Sequence, residues 1–428
     1  MTKSGARPTL GQLLCSLLLL SFVAHRVAVI FSAGDFLYPL EPSEAKNTQI
    51  AWDLMSGRFG EDGFGLGAYV ANSGSIHHGS YSSAALAYWV TSWVTGFDLF
   101  SVRFVPLLFW TVALWLWLDL LRRRIGSVAA LGAGLGLTLV PTLFIGFQLT
   151  FLGCHPESVL PLAALIFAWM YWQRDDIEDR RVPGALLGAA AGYSLIFSYL
   201  LWPFVALIAA LSLLPPLPRP GRRELVGLGL GLIAGLWPFW LIMALEGPAA
   251  LFASNITERS DTTMLDMALR RGAEAGDLFR TFTDNLPRFG MDLPDPEAGG
   301  CGKFKDYWMC QAQAGDLWGG INFEPLAYRI LVFGPLLLLP AALLERGAAL
   351  RRLLLLVALA PALNYGFLAY ANPWRGDASI PVRYFIPLAF LGFSAPGIAA
   401  GLGLRALREA RQEMDSRVLS FLRRGLGL

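Results

Sequence analysis

The feature that most constrains this chain is a series of apolar runs long enough to cross a lipid bilayer. A transmembrane helix needs about 20 consecutive, mainly apolar residues, and the first run is "LGQLLCSLLLLSFVAHRVAVIFS" near the N-terminus. Only 15% of the 428 residues are charged, whereas soluble domains carry about 25%. The sequence therefore predicts an all-α polytopic membrane protein.

Polar segments divide the apolar sequence into about ten predicted transmembrane helices. The first run is too long for the apolar part of a signal peptide and is interrupted by His25 and Arg26, so we expect it to be retained. The fifth and sixth spans are short and are expected to form a helical hairpin. The predicted spans are residues 10–33, 101–120, 127–148, 157–173, 184–196, 200–214, 224–244, 326–345, 352–370 and 384–403.

Clusters of arginine follow every second predicted span. They are "LRRRIG", "QRDDIEDRRVPG", "PRPGRREL", "ERGAALRR" and the Arg-rich tail 404–428. The positive-inside rule places such clusters in the cytoplasm, so both termini are predicted to be cytoplasmic. The composition, rich in Ala, Gly, Leu and Arg and poor in Lys, favours a GC-rich bacterium. We therefore expect an inner-membrane protein whose outer side is periplasmic.

The predicted outer segment 34–100 contains two candidate interfacial helices. In "EAKNTQIAWDLMSGRF" the apolar residues share one helical face and the polar residues lie off it, a pattern typical of helices at a membrane surface. Residues 81–100 are apolar and rich in Tyr and Trp, as at membrane–water interfaces. This second stretch must also lie outside, because the next span runs inward to reach "LRRR".

The chain divides into four parts on this map. Residues 1–244 form a transmembrane module that includes the outer segment 34–100, and residues 245–325 form a second large outer segment. Residues 326–403 hold the last spans, and 404–428 form a basic cytoplasmic tail. Cys301 and Cys310 share the second outer segment, where an oxidising compartment would favour a disulfide. Two free thiols are the alternative.

Three carboxylates are predicted to lie at the outer edge of the bilayer. Glu41 and Glu44 follow the first span, and Glu157 lies in the short loop between the third and fourth. Carboxylates are costly to desolvate at a membrane, so they tend to line functional cavities. Glu157 can also be explained as part of a helix-capping turn with Pro156 and Ser158, and the two roles are compatible.

Basic and aromatic side chains at the same predicted face are candidates for binding phosphate. Arg binds phosphate in a bidentate manner, although an interfacial Arg can also simply extend to lipid headgroups. The candidates are Lys46, His77, His78, Tyr81, His155, Arg375, Arg383 and Tyr384.

The two adjacent histidines raise a separate question about metals. His77 and His78 could hold a divalent ion with His155 and Glu157 if the two loops meet, and hydrogen-bonded polar residues in a substrate loop are the alternative. No phosphate loop or dinucleotide fingerprint occurs, which argues against a built-in ATP-driven motor. The net charge of +2 argues against a nucleic-acid partner.

The order of these parts resembles the GT-C fold of integral-membrane glycosyltransferases, nearest to the protein O-mannosyltransferase and lipid A aminoarabinose transferase branch. "SEAKNTQIAWDLMSGRF" resembles the acidic motif and interfacial helix that follow the first span, with Glu44 at the second acidic position. "HHGSYSSAALAYWVTSWVTGFDLFSVRF" resembles the segment around the second interfacial helix and ends at Arg103. "VRYFIPLAF" resembles the Arg-Tyr motif of a late span.

The resemblance implies an inverting transfer of a sugar from a polyprenyl-phosphate donor at the outer face. Glu44 would act as general base, with Glu157 second and Glu41 in reserve, while cations stabilise the leaving phosphate. The acceptor, whether protein, lipid or glycan, stays open. Ser43 stands where the family has an acid, so a non-catalytic relative is one alternative. A transporter or flippase for a lipid-linked substrate is another.

Overall fold

The fold is described from a computed structural model, which describes residues 9–32, 78–96, 101–140, 142–151, 155–174, 176–177, 179–215, 221–246, 334–371 and 386–426. Within these ranges the chain forms helices, short 3-10 turns and connections, and no strand. The prediction of an all-α chain is therefore confirmed for the described residues. The candidate interfacial helix "EAKNTQIAWDLMSGRF" and the cysteines Cys301 and Cys310 lie outside them.

The described part contains thirteen α-helices, which we number in chain order. They are α1 (Leu10–Ser32), α2 (His78–Thr95), α3 (Ser101–Arg124), α4 (Ser127–Thr138), α5 (Thr142–Leu149), α6 (Val159–Trp172), α7 (Arg181–Phe197), α8 (Trp202–Ser212), α9 (Arg222–Gly235), α10 (Trp237–Glu246), α11 (Leu338–Leu344), α12 (Ala348–Ala371) and α13 (Ile386–Leu426). Three 3-10 turns precede α6, α8 and α11, at Pro156–Ser158, Tyr199–Leu201 and Pro335–Leu337.

Three helices in the described residues are long and apolar enough to cross a membrane. They are α1, α3 and the part of α13 from Ile386 to Val418. Shorter apolar helices occupy four further stretches, Ser127–Thr138, Arg181–Phe197, Tyr199–Ser212 and Pro335–Leu344. A membrane protein is therefore supported, whereas the count of about ten spans remains a prediction.

Two predicted spans are each built from a pair of shorter helices. Residues 127–148 form α4 and α5, and Pro141 lies between them in the sequence. Residues 224–244 form α9 and α10, with Pro238 at the second position of α10. Proline cannot donate a backbone hydrogen bond, and it disfavours helical geometry at the preceding residue. Each predicted continuous span is therefore interrupted at a proline.

Helices α7 and α9 pack side by side through glycines, with their backbones almost touching. A Cβ atom added to Gly184 would lie 3.1 Å from Glu224 O, and one added to Gly192 would lie 2.5 Å from Leu232 O. The numbers of the contacting residues increase together along α7 and α9, so these two helices run parallel. The chain between α7 and α9, which contains α8, therefore has to return from the end of α7 to the level of its start.

Close approach at glycines also joins α4 to α13. An added Cβ would lie 2.1 Å from Phe393 O at Gly136, and 2.4 Å from the Ala129 Cβ at Gly401. Residue numbers fall along α13 as they rise along α4, so these helices are antiparallel. Small residues that allow backbones to approach closely are the usual basis of helix packing inside membranes.

Arginine contacts bring several helix ends together at one end of the bundle, which we call the basic face. Arg124 at the end of α3 donates to the Met170 carbonyl at 2.6 Å, and Arg405 lies 3.6 Å from Glu345 just before α12. Arg352 at the start of α12 donates to Gln173 Oε1 at 3.0 Å. The arginines at the end of α3, those that follow α11 and those of the middle of α13 therefore meet at one face of the described bundle.

The other ends of these helices form what we call the opposite face. There Ser194 near the end of α7 donates to the Pro161 carbonyl at the start of α6, at 3.5 Å. Phe367 near the end of α12 contacts the Tyr199 ring before α8, with 6.2 Å between ring centroids. The bundle thus has two chemically different ends, although which compartment each end faces remains a prediction.

Helix α13 continues beyond the bundle without interruption. Its 41 residues correspond to about 60 Å of helix, twice the thickness of a bilayer core. Ion pairs between residues four apart line its exposed half, including Arg405 with Glu409 at 2.8 Å. The predicted basic tail 404–428 is therefore a direct extension of the last predicted span up to Leu426.

We expect the glycine contact between α7 and α9 to be essential for stability. In Gly231→Ala the added Cβ would lie 2.0 Å from Ala185 O. The two backbones would have to separate, at a cost on the order of 1–3 kcal/mol, typical of overpacking. Gly229→Ala is the matched control on the same helix, because its Cβ would meet nothing within 4 Å. Thermal unfolding of the purified variants in detergent should show a lower Tm for Gly231→Ala alone, and equal Tm values would contradict this packing.

Candidate functional site

Most of the predicted site residues lie outside the described part of the chain. These residues are Glu41, Glu44, Lys46, His77, Arg375, Arg383 and Tyr384. His78 and Tyr81 lie in the first turns of α2, where the structure describes the backbone alone. Glu157 and His155 are the two predicted site residues whose side chains are described. The shared catalytic role of Glu44 and Glu157 therefore stays a prediction.

Glu157 lies in the 3-10 turn Pro156–Ser158, which leads directly into α6. The backbone of the turn is closed by Ser158, whose N–H donates to the His155 carbonyl at 3.2 Å. The Ser158 hydroxyl donates to the same carbonyl and makes no capping bond to α6. Pro156 opens the turn, as expected for a helix start, and the Ser158 hydroxyl is engaged with the His155 carbonyl instead of with a free N–H of α6.

The Glu157 side chain is fully buried, at 0% exposure. Its turn packs against α3, α5, α6 and α13, so four helices enclose the carboxyl group at the opposite face. Burying a carboxylate costs several kcal/mol unless surrounding groups compensate. Such a residue within a membrane protein is a functional candidate by default. The structure thus singles out Glu157 among the acids whose side chains it describes.

Two buried arginines lie near this turn, one on α3, which packs against the turn, and one on α1, which packs against α5. Arg103 on α3 is 2% exposed, and its Nη1 donates to the Leu149 carbonyl at the end of α5 over 3.4 Å. Arg26 on α1 is fully buried. The sequence interpretation treated Arg103 only as the end of a motif and Arg26 only as an interruption of an apolar run. A cation inside an apolar run was the signal that could have identified both residues.

Arg26 closes the break between α4 and α5. Its Nη2 donates to the Thr138 carbonyl at 2.9 Å and its Nε donates to Gln148 Oε1 at 2.7 Å. Its Nη1 lies 2.8 Å from His25 Nδ1, and its guanidinium stacks over the Phe22 ring at 4.8 Å. One side chain therefore ties the end of α4 to α5. Because α5 packs against the turn that carries Glu157, Arg26 supports that turn indirectly.

Helix α2, which precedes α3 in the chain, packs near the region of the buried arginines. It extends over His78–Thr95, close to the predicted helix at 81–100, and packs against α3, α7 and α10. The buried Tyr88 lies 3.0 Å from the Ser101 hydroxyl and 6.2 Å, ring to ring, from Phe151. Its outer side carries Trp93, which is 73% exposed. An apolar exposed side over a buried tyrosine fits the expected interfacial helix.

The metal hypothesis is untested by this arrangement. No group of three or more His, Cys, Asp or Glu side chains occurs among the residues that the structure describes. The hypothesis also needs His77 and His78, whose side chains lie outside them. His155 itself is 8% exposed and directly precedes the Glu157 turn, so the only described pair of predicted ligands consists of His155 and Glu157.

Comparison with known proteins adds nothing to this arrangement. No protein-family model matches the chain, and no curated protein matches it. What the candidate site does is therefore argued from its own residues.

We expect Arg26→Met to loosen α5 while leaving the basic face intact. The substitution keeps a long side chain but leaves the Thr138 carbonyl and Gln148 without their donor, and each unpaired buried group costs about 1–3 kcal/mol. Hydrogen exchange measured by mass spectrometry should become faster in residues 142–151 and stay unchanged in α6. Arg417→Met, in the 78% exposed tail, is the control. Unchanged exchange in α5 would show that Arg26 does not hold this helix.

Proposed function

We propose that the chain is an inverting glycosyltransferase that moves a sugar from a polyprenyl-phosphate donor to an acceptor at the outer face of the membrane. The observation that carries the proposal is the fully buried Glu157, enclosed by α3, α5, α6 and α13 at the face opposite to the arginine-rich helix ends. A general base or acceptor-binding carboxylate needs such a sheltered position, because bulk water there does not compete with the acceptor hydroxyl for the carboxylate.

The order of the chain around this carboxylate supports the proposal. Helix α13, which packs against the Glu157 turn, directly follows the Arg383–Tyr384 pair in the sequence. Helix α2 opens at His78 and contains Tyr81 in its first turn. Four predicted phosphate-binding residues therefore lie at, or just before, the starts of α2 and α13 in the sequence. Cations there would stabilise the phosphate as it leaves.

The proposed roles follow the chemistry of an inverting transfer. Glu44 takes the proton of the acceptor hydroxyl, and Glu157 orients the acceptor or shares that task, with Glu41 in reserve. As the sugar leaves, Lys46, Arg375, Arg383 and the histidines stabilise the polyprenyl phosphate. The proposal includes about ten spans in a GT-C-like bundle in a bacterial inner membrane. It places the termini in the cytoplasm and the active site in the periplasm.

A transporter or flippase for a lipid-linked substrate is the second candidate. The observation that favours it is the interrupted α4–α5 segment with the buried Arg26, since broken helices with buried charges are common in transporters. A non-catalytic GT-C relative is the third, because Ser43 replaces an acid. A transferase releases free polyprenyl phosphate, whereas the other two candidates leave the donor chemically unchanged.

The test is an assay of sugar release from a panel of polyprenyl-phosphate sugars by the purified protein. Glu157→Gln and Glu44→Gln should each lower kcat about 10²-fold or more, the usual contribution of a general acid–base group. Glu409→Gln, in the exposed part of α13, is the matched control and should behave like wild type. If both site variants retain wild-type kcat, the catalytic assignment is wrong. Transport of intact donor across proteoliposomes without sugar release would favour the second candidate.

A further inference from the structure

Helix α12 carries an unusual buried amide, that of Asn364. Its side chain is 0% exposed, and within the described chain neither its Oδ1 nor its Nδ2 has a hydrogen-bond partner. The neighbouring Leu363 is 40% exposed, so Asn364 lies on the side of α12 that faces the bundle. A buried amide without partners costs about 1–3 kcal/mol even in soluble proteins, and a bilayer supplies no water to relieve it. Such a group calls for an explanation.

Asn364 lies at the same end of the bundle as Glu157. It precedes the end of α12 at Ala371 by about two turns, or roughly 10 Å of helix. Phe367, one turn further on, contacts the rings of Tyr199 and Trp202 near the opposite face. Helix α12 packs against α13, and α13 packs against the turn of Glu157. The amide and the carboxyl group therefore belong to elements that share one neighbour, α13.

The chemistry of the amide selects the class of ligand. Asparagine offers a donor and an acceptor at once. A phosphate group could only accept, which would leave Oδ1 unpaired, and a metal ion would leave Nδ2 unpaired. A polyprenyl chain could pair with neither atom. A hydroxyl group both donates and accepts, and the sugar is the part of the proposed donor that is rich in hydroxyls.

We propose that Asn364 binds a hydroxyl group of the donor sugar and so contributes to sugar selection. The inference rests on the proposed function, because it takes the sugar from the proposed donor. Sites that hydrogen-bond a substrate hydroxyl discriminate strongly against substrates that lack it, because their own polar groups are otherwise left unpaired. The unpaired amide of the ligand-free protein is the expected state of such a site.

Because the amide is enclosed, α12 has to move when the sugar binds. A proline close to Asn364 makes such a movement easier. Pro361 lies within α12, one turn before Asn364, and cannot donate a hydrogen bond to the carbonyl four residues earlier, that of Val357. The turn before Asn364 therefore has one backbone hydrogen bond fewer than an uninterrupted turn of helix. A small movement at Pro361 would expose the amide to the interior of the bundle.

The first experiment measures the stability of Asn364→Leu without ligand. Leucine has nearly the same size and removes both unpaired polar atoms, so the Tm of the ligand-free protein should equal or exceed that of wild type. A substrate-binding residue retained at the expense of stability shows this behaviour. A clear fall in Tm would mean that Asn364 has partners that hold the fold, and the inference would be overturned.

The second experiment measures binding of four lipids that differ only in the sugar they carry or lack. The probes are undecaprenyl phosphate and the same lipid carrying mannose, glucose or galactose, with binding followed by the ligand-dependent shift in Tm. In wild type at least one sugar-bearing lipid should bind about tenfold more tightly than the bare lipid, and Asn364→Leu should abolish that ratio. Trp172→Phe is the control, because it removes another unpaired buried donor, on α6 near the basic face, and should keep the ratio.

The outcomes separate this inference from the proposed function. A sugar-dependent ratio that survives in Asn364→Leu overturns the inference alone, as does a wild-type protein that binds all four lipids equally. A protein that binds the sugar-bearing lipid through Asn364 but transfers no sugar leaves the binding site intact and overturns the proposed enzyme. If water is the only partner of the amide, Asn364→Leu should have a raised or unchanged Tm and the same ratio of sugar-bearing to bare lipid binding as wild type. That result also counts against the inference.

Discussion

Hydrogen bonds from buried or half-buried arginines to carbonyls at, or just beyond, the ends of other helices hold this structure together. The last carbonyls of a helix lack partners within that helix, and a bilayer supplies no water to satisfy them. Arginine brings several donors and a positive charge that complements the helix dipole. The pairs are Arg26 with Thr138, Arg103 with Leu149, Arg124 with Met170, and Arg352 with Leu214.

These arginines explain how short helices can be used in a bundle of this kind. Helix α5 has 8 residues and spans only about 12 Å, far less than a bilayer core. Arg26 and Arg103 supply donors at both of its borders, to Thr138 before it and to Leu149 at its end. The turn with Glu157 packs against this short helix. The candidate site therefore depends on these caps.

The sequence predicted the positions of most helices and the importance of Glu157, but not what surrounds it. Hydropathy locates apolar runs because every lipid-facing helix must be apolar, and it placed α1 within one residue at each end. It could not show that 127–148 breaks in two, because the apolar run continues through Pro141. Arg26 and Asn364 were passed over because a single polar residue hardly changes the average of a long apolar run. Their roles depend on partners, or on missing partners, in helices distant in sequence.

Composition and periodicity alone indicated that this chain is helical and suited to a membrane, and that its arginine clusters follow every second apolar run. Those conclusions need only the composition and the spacing of the apolar runs, because few kinds of structure can span a bilayer. The tertiary structure decided which helices run side by side, because a glycine reveals a close contact only when the opposing backbone is known. It also decided that Glu157 is fully enclosed and that the amide of Asn364 lacks partners. Burial and hydrogen bonding are properties of neighbours, which the linear sequence does not specify.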